Sequence, residues 1–253
     1  MSEPSSSRLR MSKVCEESAI CGYCGASSAK YKCNRVSYCS VDCQTVAWKG
    51  GHKKKCKTVA QQEAANEELR IASRDGNMQT LNAIISAGVA DVNSVSPEGY
   101  SALIMASVNG HVDTIKALIE GGVNVNYATL AAPGVPLDGV GYTALLCAAQ
   151  NGHSMAVKIL DAAGANVNHV KKTGHSALIM ASQNGHVDAI KALVEGGSNV
   201  NYAILDGPGV DPKNVGVTAL IWASQERHSV AVKILIAAGR KEGTLNLNTQ
   251  YRR

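Results

Sequence analysis

Between residues 99 and 122 the apolar positions fall into two short stripes. From Ala102 to Asn109 they recur at three-to-four spacing, the period of one helix face, and Ser101 just before the run offers a hydroxyl as N-cap. The run stops at Asn109-Gly110, where glycine supplies a left-handed cap. A second helix is predicted over Val112–Glu120, with Ile115, Leu118 and Ile119 on one face, and it stops at Gly121-Gly122. Further on, Thr143 stands before Ala144-Leu145 as Ser101 stands before Ala102-Leu103, so the same start signal returns. Neither helix can bury its stripe alone. The pattern therefore requires similar helix pairs beside it.

Repetition supplies them. His111, His153, His186 and His228 mark equivalent positions separated by 42, 33 and 42 residues, and the whole returns after 75, so that GYSALIMASVNGHVDTIKALIEGGVNVNYA at Gly99 recurs as GHSALIMASQNGHVDAIKALVEGGSNVNYA at Gly174. A degenerate copy begins near Leu69, which makes five units over about 66–98, 99–140, 141–173, 174–215 and 216–249. The period of 33 and the recurring Thr-Ala-Leu, Asn-Gly-His, Val-Lys-x-Leu and Asn-Val-Asn signatures resemble the ankyrin-repeat family. That resemblance implies a mainly α fold: an ankyrin solenoid of about five units over residues 66–250, with a concave face and a row of loops. Where the family often has a histidine ending the helix-starting tetrapeptide, this chain has Ile104, Leu146, Ile179 and Ile221. The expectation is a stack whose register is specified less by polar contacts. The Asn-Gly-His histidines are expected to serve the turn between paired helices, since a catalytic residue does not recur in every unit. Cys147, in Leu145-Leu146-Cys147-Ala148, reads as a small core residue, with a thiol paired to His153 as the reactive alternative.

The second and fourth units are nine residues longer than the third. The extra length lies between Tyr127 and Val140 and between Tyr202 and Val215, and both stretches are rich in Gly and Pro, so they lengthen loops on one side of the stack. Two readings stay open: loop growth copied by duplication, or a shared role in ligand contact.

Composition fits a helical stack. Of 253 residues 45% are hydrophobic, yet Phe is absent and only eight Tyr and two Trp are present, so a large core has to come from Ala, Leu, Ile and Val. No run approaches the roughly 20 apolar residues of a membrane span, and the Ser-rich start lacks an apolar signal core. Residues 1–20 read as a disordered tail, and the chain as intracellular, cytoplasmic or nuclear. Charge is segregated: residues 1–60 carry a net +7 and the remainder −2.

Cysteine is segregated too, with seven of the eight before residue 57. Without a secretion signal such clustering points to metal rather than disulfides. In order they give Cys21-x2-Cys24-x8-Cys33-x5-Cys39-x3-Cys43-x8-His52-x3-Cys56, thiolate and imidazole donors at spacings that suit tetrahedral zinc. So short a module cannot bury an adequate core, and metal has to supply its folding energy. Tyr38-Cys39-Ser40-x-x-Cys43-Gln44-x3-Trp48, followed by His52-Lys53-x-x-Cys56, resembles a MYND-type zinc finger over residues 21–56. The family pattern has two interleaved zinc sites. Carried over by position, the first is Cys21, Cys24, Cys39 and Cys43; the second is Cys33, His52 and Cys56, one ligand short, with Cys15 as a possible substitute donor.

The two resemblances together imply a non-enzymatic interaction or adaptor protein, in which the finger receives proline-containing peptides and the stack receives protein partners. Gln44 and Trp48, four apart on one predicted helical face, are the candidate peptide contacts. Lys53-Lys54-Lys55-Cys56-Lys57 suggests a nucleic-acid alternative, but four zinc-bound thiolates and their ion add −2 to the field, and aromatic residues are sparse among the basic ones. Methyltransferases also carry MYND fingers, but the repeats leave no room for that domain. Residues 57–68 lack Gly and Pro and are rich in helix formers, so a helical connector is predicted there.

Overall fold

The computed structural model describes the backbone of residues 31–33, 36–38, 53–131 and 136–241, and side chains over 61–131 and 136–240. The chain divides into two compact regions, 1–64 and 65–253. In the first, strands β1 (Tyr31–Cys33) and β2 (Val36–Tyr38) pair antiparallel, with Tyr31 opposite Tyr38 and Cys33 opposite Val36. Helix α1 (Lys53–Asp75) runs unbroken through residues 57–68, and Gln61, Gln62 and Glu63 on it are exposed.

In the second region, helices alternate along the chain in pairs. The first unit closes with α2 (Met78–Ala87). The following pairs are α3 (Ala102–Asn109) with α4 (Val112–Glu120), α5 (Ala144–Gln150) with α6 (Ser154–Ala162), α7 (Ala177–Gln183) with α8 (Val187–Glu195), and α9 (Ala219–Gln225) with α10 (Ser229–Lys241). Capping fixes where each first helix begins. Ser101, Thr143, Ser176 and Thr218 are extended, and each hydroxyl accepts from the N–H three residues on. First helices pack on first helices (α3 on α5, α5 on α7, α7 on α9) and second on second (α4 on α6, α6 on α8, α8 on α10). The stripes thus merge into one continuous core of Leu, Ile, Val and Ala.

The stack departs from expectation in how its register is fixed. Ile104, Leu146 and Ile179 are buried as apolar residues should be, but polar links between units are abundant. Each of the four turn histidines reaches into the preceding unit rather than serving only its own turn. Nε2 of His111, His153, His186 and His228 lies 2.9–3.0 Å from the carbonyls of Arg74, Val108, Gln150 and Gln183. A carbonyl can only accept, so Nε2–H donates in all four. On the loop side, Oδ1 of Asn93, Asn126 and Asn168 accepts from the backbone N–H of Asn124, Asn166 and Asn199 in the next unit, at 2.6–2.8 Å, and Asn66 accepts likewise from Asp91 N–H within the first unit. Two ladders, one at each end of the helices, hold the register that the tetrapeptide histidines do not.

The histidine ladder also explains the glycine before each histidine. A Cβ on Gly76, Gly110, Gly152 or Gly185 would stand 2.5–2.7 Å from Nδ1 of the next unit's histidine. The last copy reads Arg227-His228. There the backbone is still left-handed, with φ 60°, and α10 is followed by no further described histidine.

Candidate functional site

The two long loops are pinned at their bases. Thr129 N–H donates to Tyr142 O, Gly141 N–H donates to Thr129 O, and the same pair recurs 75 residues on between Ile204 and Val217 and between Gly216 and Ile204. Tyr127 and Tyr202 donate their hydroxyls to Gly99 O and Gly174 O, and burial raises both phenols. Each loop carries a short 3-10 turn, Leu137–Gly139 and Pro212–Asn214. Residues 132–135 lie outside the described residues. The loops present apolar residues among charged ones: Leu130 and Leu205, equivalent by the 75-residue offset, are 67% and 70% exposed, beside exposed Asp138, Asp206, Asp211 and Lys213. Leu137 is exposed as well.

The first long loop has a further clamp from the unit behind it. Lys172 N–H donates to Val140 O, and His169 Nε2 lies 2.9 Å from Gly141 O. Lys171 is buried; its Nζ donates to Asp138 O at 3.2 Å and Tyr142 Oη at 3.0 Å, and sits 4.4 Å from the Tyr142 ring centre. A buried cation over a ring, bonded to two neutral oxygens, gives the loop wall a fixed shape.

Beside the loops, the first helices form a face on which the fourth residue after each cap is Met105, Cys147, Met180 and Trp222. Cys147 is 4% exposed, and burial pushes its thiol up to about 12 despite the opposing charge of Lys171. With His153 bonded to Val108 O, the thiol stays protonated at neutral pH, and the reactive alternative does not apply. Cys147 does more than fill core: it floors a recess of about 440 Å³ whose walls include Tyr100, Val108, Pro136, Tyr142 and Gln150. No local pattern in the chain announces this recess, because its wall comes from the long loop. At the matching place in the next half, Trp222 packs with its ring centre 6.4 Å from that of His175. The indole Nε1 is buried there without a hydrogen-bond partner. His175 is lowered, chiefly by burial.

Of the finger's candidate ligands, Cys33 lies on β1 and Cys56 on α1 as backbone positions. Cys15, Cys21, Cys24, Cys39, Cys43 and His52, the candidate contacts Gln44 and Trp48, and the tail over 1–20 lie outside the described residues. The donor set itself, six thiols and an imidazole at zinc-ligand spacings, fits zinc chemically. Among the described residues no group of three or more His, Cys, Asp or Glu is placed to hold a metal ion, and no helix is long and apolar enough to cross a membrane.

Comparison with known proteins identifies both modules. The family model for ankyrin repeats matches three times, over residues 69–171, 131–204 and 148–248, and that for the MYND finger matches residues 21–56. Among curated proteins, ubiquitin carboxyl-terminal hydrolase 19 of Arabidopsis thaliana is 49% identical over 43 residues, which are 16% of this chain and 6% of the plant protein. Ankyrin repeat domain-containing protein 29 of Danio rerio is 34% identical over 55 residues, 22% of this chain and 18% of the fish protein. The chain thus spans under a fifth of the length of either relative.

Proposed function

The chain belongs to the ankyrin-repeat family and carries a MYND finger, and from that premise we propose that it is a non-enzymatic adaptor joining two partners through two binding surfaces. Both modules are of the protein-interaction kind, and a MYND finger is a zinc-binding module. The reading is supported by the paired long loops, which expose Leu130 and Leu205 on bases pinned by the same backbone hydrogen bonds. In the finger, Cys21, Cys24, Cys39 and Cys43 form the complete zinc set, while Cys33, His52 and Cys56 form a second, three-donor set that is weakened or vacant or is completed by water, with Cys15 as the substitute donor. Gln44 and Trp48 receive a proline-containing peptide, with the indole as the apolar platform.

Affinity capture with the full chain tests this proposal. A Leu130→Asp/Leu205→Asp chain should lose partners that Trp48→Ala retains, and the converse should hold for the finger's peptides. Identical capture by all three chains would overturn the two-surface reading. Capture that disappears between about 0.15 and 0.5 M salt and follows RNase-sensitive material would favour the basic finger as a nucleic-acid contact instead.

A further inference from the structure

The two 75-residue halves of the stack are near copies, so a difference between them at one place is informative. Position by position, Tyr100 corresponds to His175, Val108 to Gln183, Tyr142 to Val217 and Cys147 to Trp222. In the second half the indole of Trp222 occupies the floor position beside His175. In the first half the same floor carries only a thiol, and a recess of about 440 Å³ stands above it. That volume is far above the roughly 30 Å³ of one water and within the range of about 300–1,000 Å³ typical of ligand pockets.

We infer that the recess over Cys147 is a binding site for an indole-type aromatic side chain of a protein partner, which takes the place that Trp222 fills in the internal copy. The walls suit that occupant. Tyr100 and Tyr142 contribute aromatic rings to the lining, Val108 and Pro136 apolar groups, and Gln150 an amide whose oxygen can accept from an indole N–H. Asp138 is the charged residue of the lining, and it disfavours an acidic occupant. The wall is also formed in advance. Lys171 bonds Asp138 O and Tyr142 Oη, and Lys172 N–H bonds Val140 O, so the wall over residues 138–142 is held before a side chain enters. The fixed, neutral thiol at the floor adds a soft contact without reacting.

This inference deepens the adaptor reading by naming what one surface takes, and a small probe separates the two. The probe is 5-fluoroindole, followed by fluorine NMR against the full chain. One saturable site per chain is expected. Cys147→Trp should weaken it at least tenfold, while Cys147→Ala, which keeps the recess open, should retain it. Trp222→Ala should open a second site. Where Cys147→Trp fails to give native helical circular dichroism, Val108→Trp fills the recess from its exposed rim and should weaken the probe likewise. No saturable site in the wild-type chain, undiminished binding in the filled variants, or one site only in a folded Trp222→Ala chain would overturn the inference. Probe binding lost while partner capture persists would sink the recess and spare the adaptor reading; probe binding kept while capture fails would do the reverse.

Discussion

Gly152→Ala isolates the cost of breaking one rung of the histidine ladder. Gly152 has φ 76°, and a Cβ there would meet Nδ1, Cγ and Cε1 of His186 at 2.6–2.9 Å. The ring cannot yield without moving Nε2 from Gln150 O, now at 2.9 Å. Two costs therefore add. Placing alanine in the left-handed region costs about 1–2 kcal/mol. The lost cross-unit hydrogen bond costs about 0.5–1.5 kcal/mol more. The sum is about 1.5–3.5 kcal/mol before any strain from displaced neighbours. Gly164→Ala is the matched control, because Gly164 has φ 85° in the same unit but a Cβ there would have nothing within 4 Å, so only the backbone part applies. Urea unfolding followed by helical circular dichroism reads both. Gly152→Ala should exceed Gly164→Ala by about 1 kcal/mol or more, and on a His186→Ala background that excess should vanish. Equal losses in the two glycine variants, or an excess that survives removal of the ring, would refute the ladder argument.

Asn126→Ala should destabilise the stack by about 1–3 kcal/mol in the same assay, since it removes the acceptor for Asn166 N–H and the donor to Gly164 O. Arg227→Gly should raise stability by about 1 kcal/mol by relieving a non-glycine residue at φ 60°; no gain would show that the surrounding turn selects that conformation without strain. Cys147 should resist iodoacetamide at pH ~8 in the folded chain and react fully in urea, as read by mass spectrometry; because its folded pKa lies above the ordinary thiol value of 9.0, its contribution to stability is complete below that value and declines as pH rises toward about 12. Native mass measurement should find one or two zinc ions per chain, and Cys39→Ser should release zinc while leaving the repeats helical.

Local signals were legible wherever the cause was local. Ser101, Thr143, Ser176 and Thr218 cap their own helices within three residues, so α3 and α4 begin and end where the sequence pattern predicts. The division into a cysteine module and a five-unit stack follows equally from spacing, because zinc donors and apolar periods are written in the chain's order. What depended on distant partners was not legible. The carbonyls that receive His111, His153, His186 and His228 lie 36 to 45 residues earlier, and no local pattern says which acceptor a ring will reach. The expectation of a less polar register failed for that reason: deleting one histidine from the tetrapeptide says nothing about bonds made by another.

Cys147 shows the same division at the candidate site. Its apolar neighbours in the run Leu145-Leu146-Cys147-Ala148 already read it as a small core residue. Only the tertiary structure decided that it would floor a recess, because that depends on a wall brought from residues 136–142 and locked by Lys171, 29 positions away from Tyr142. Sequence order sets which faces are apolar; the empty volume between faces exists only once the units are stacked, since a cavity is a property of what surrounds it.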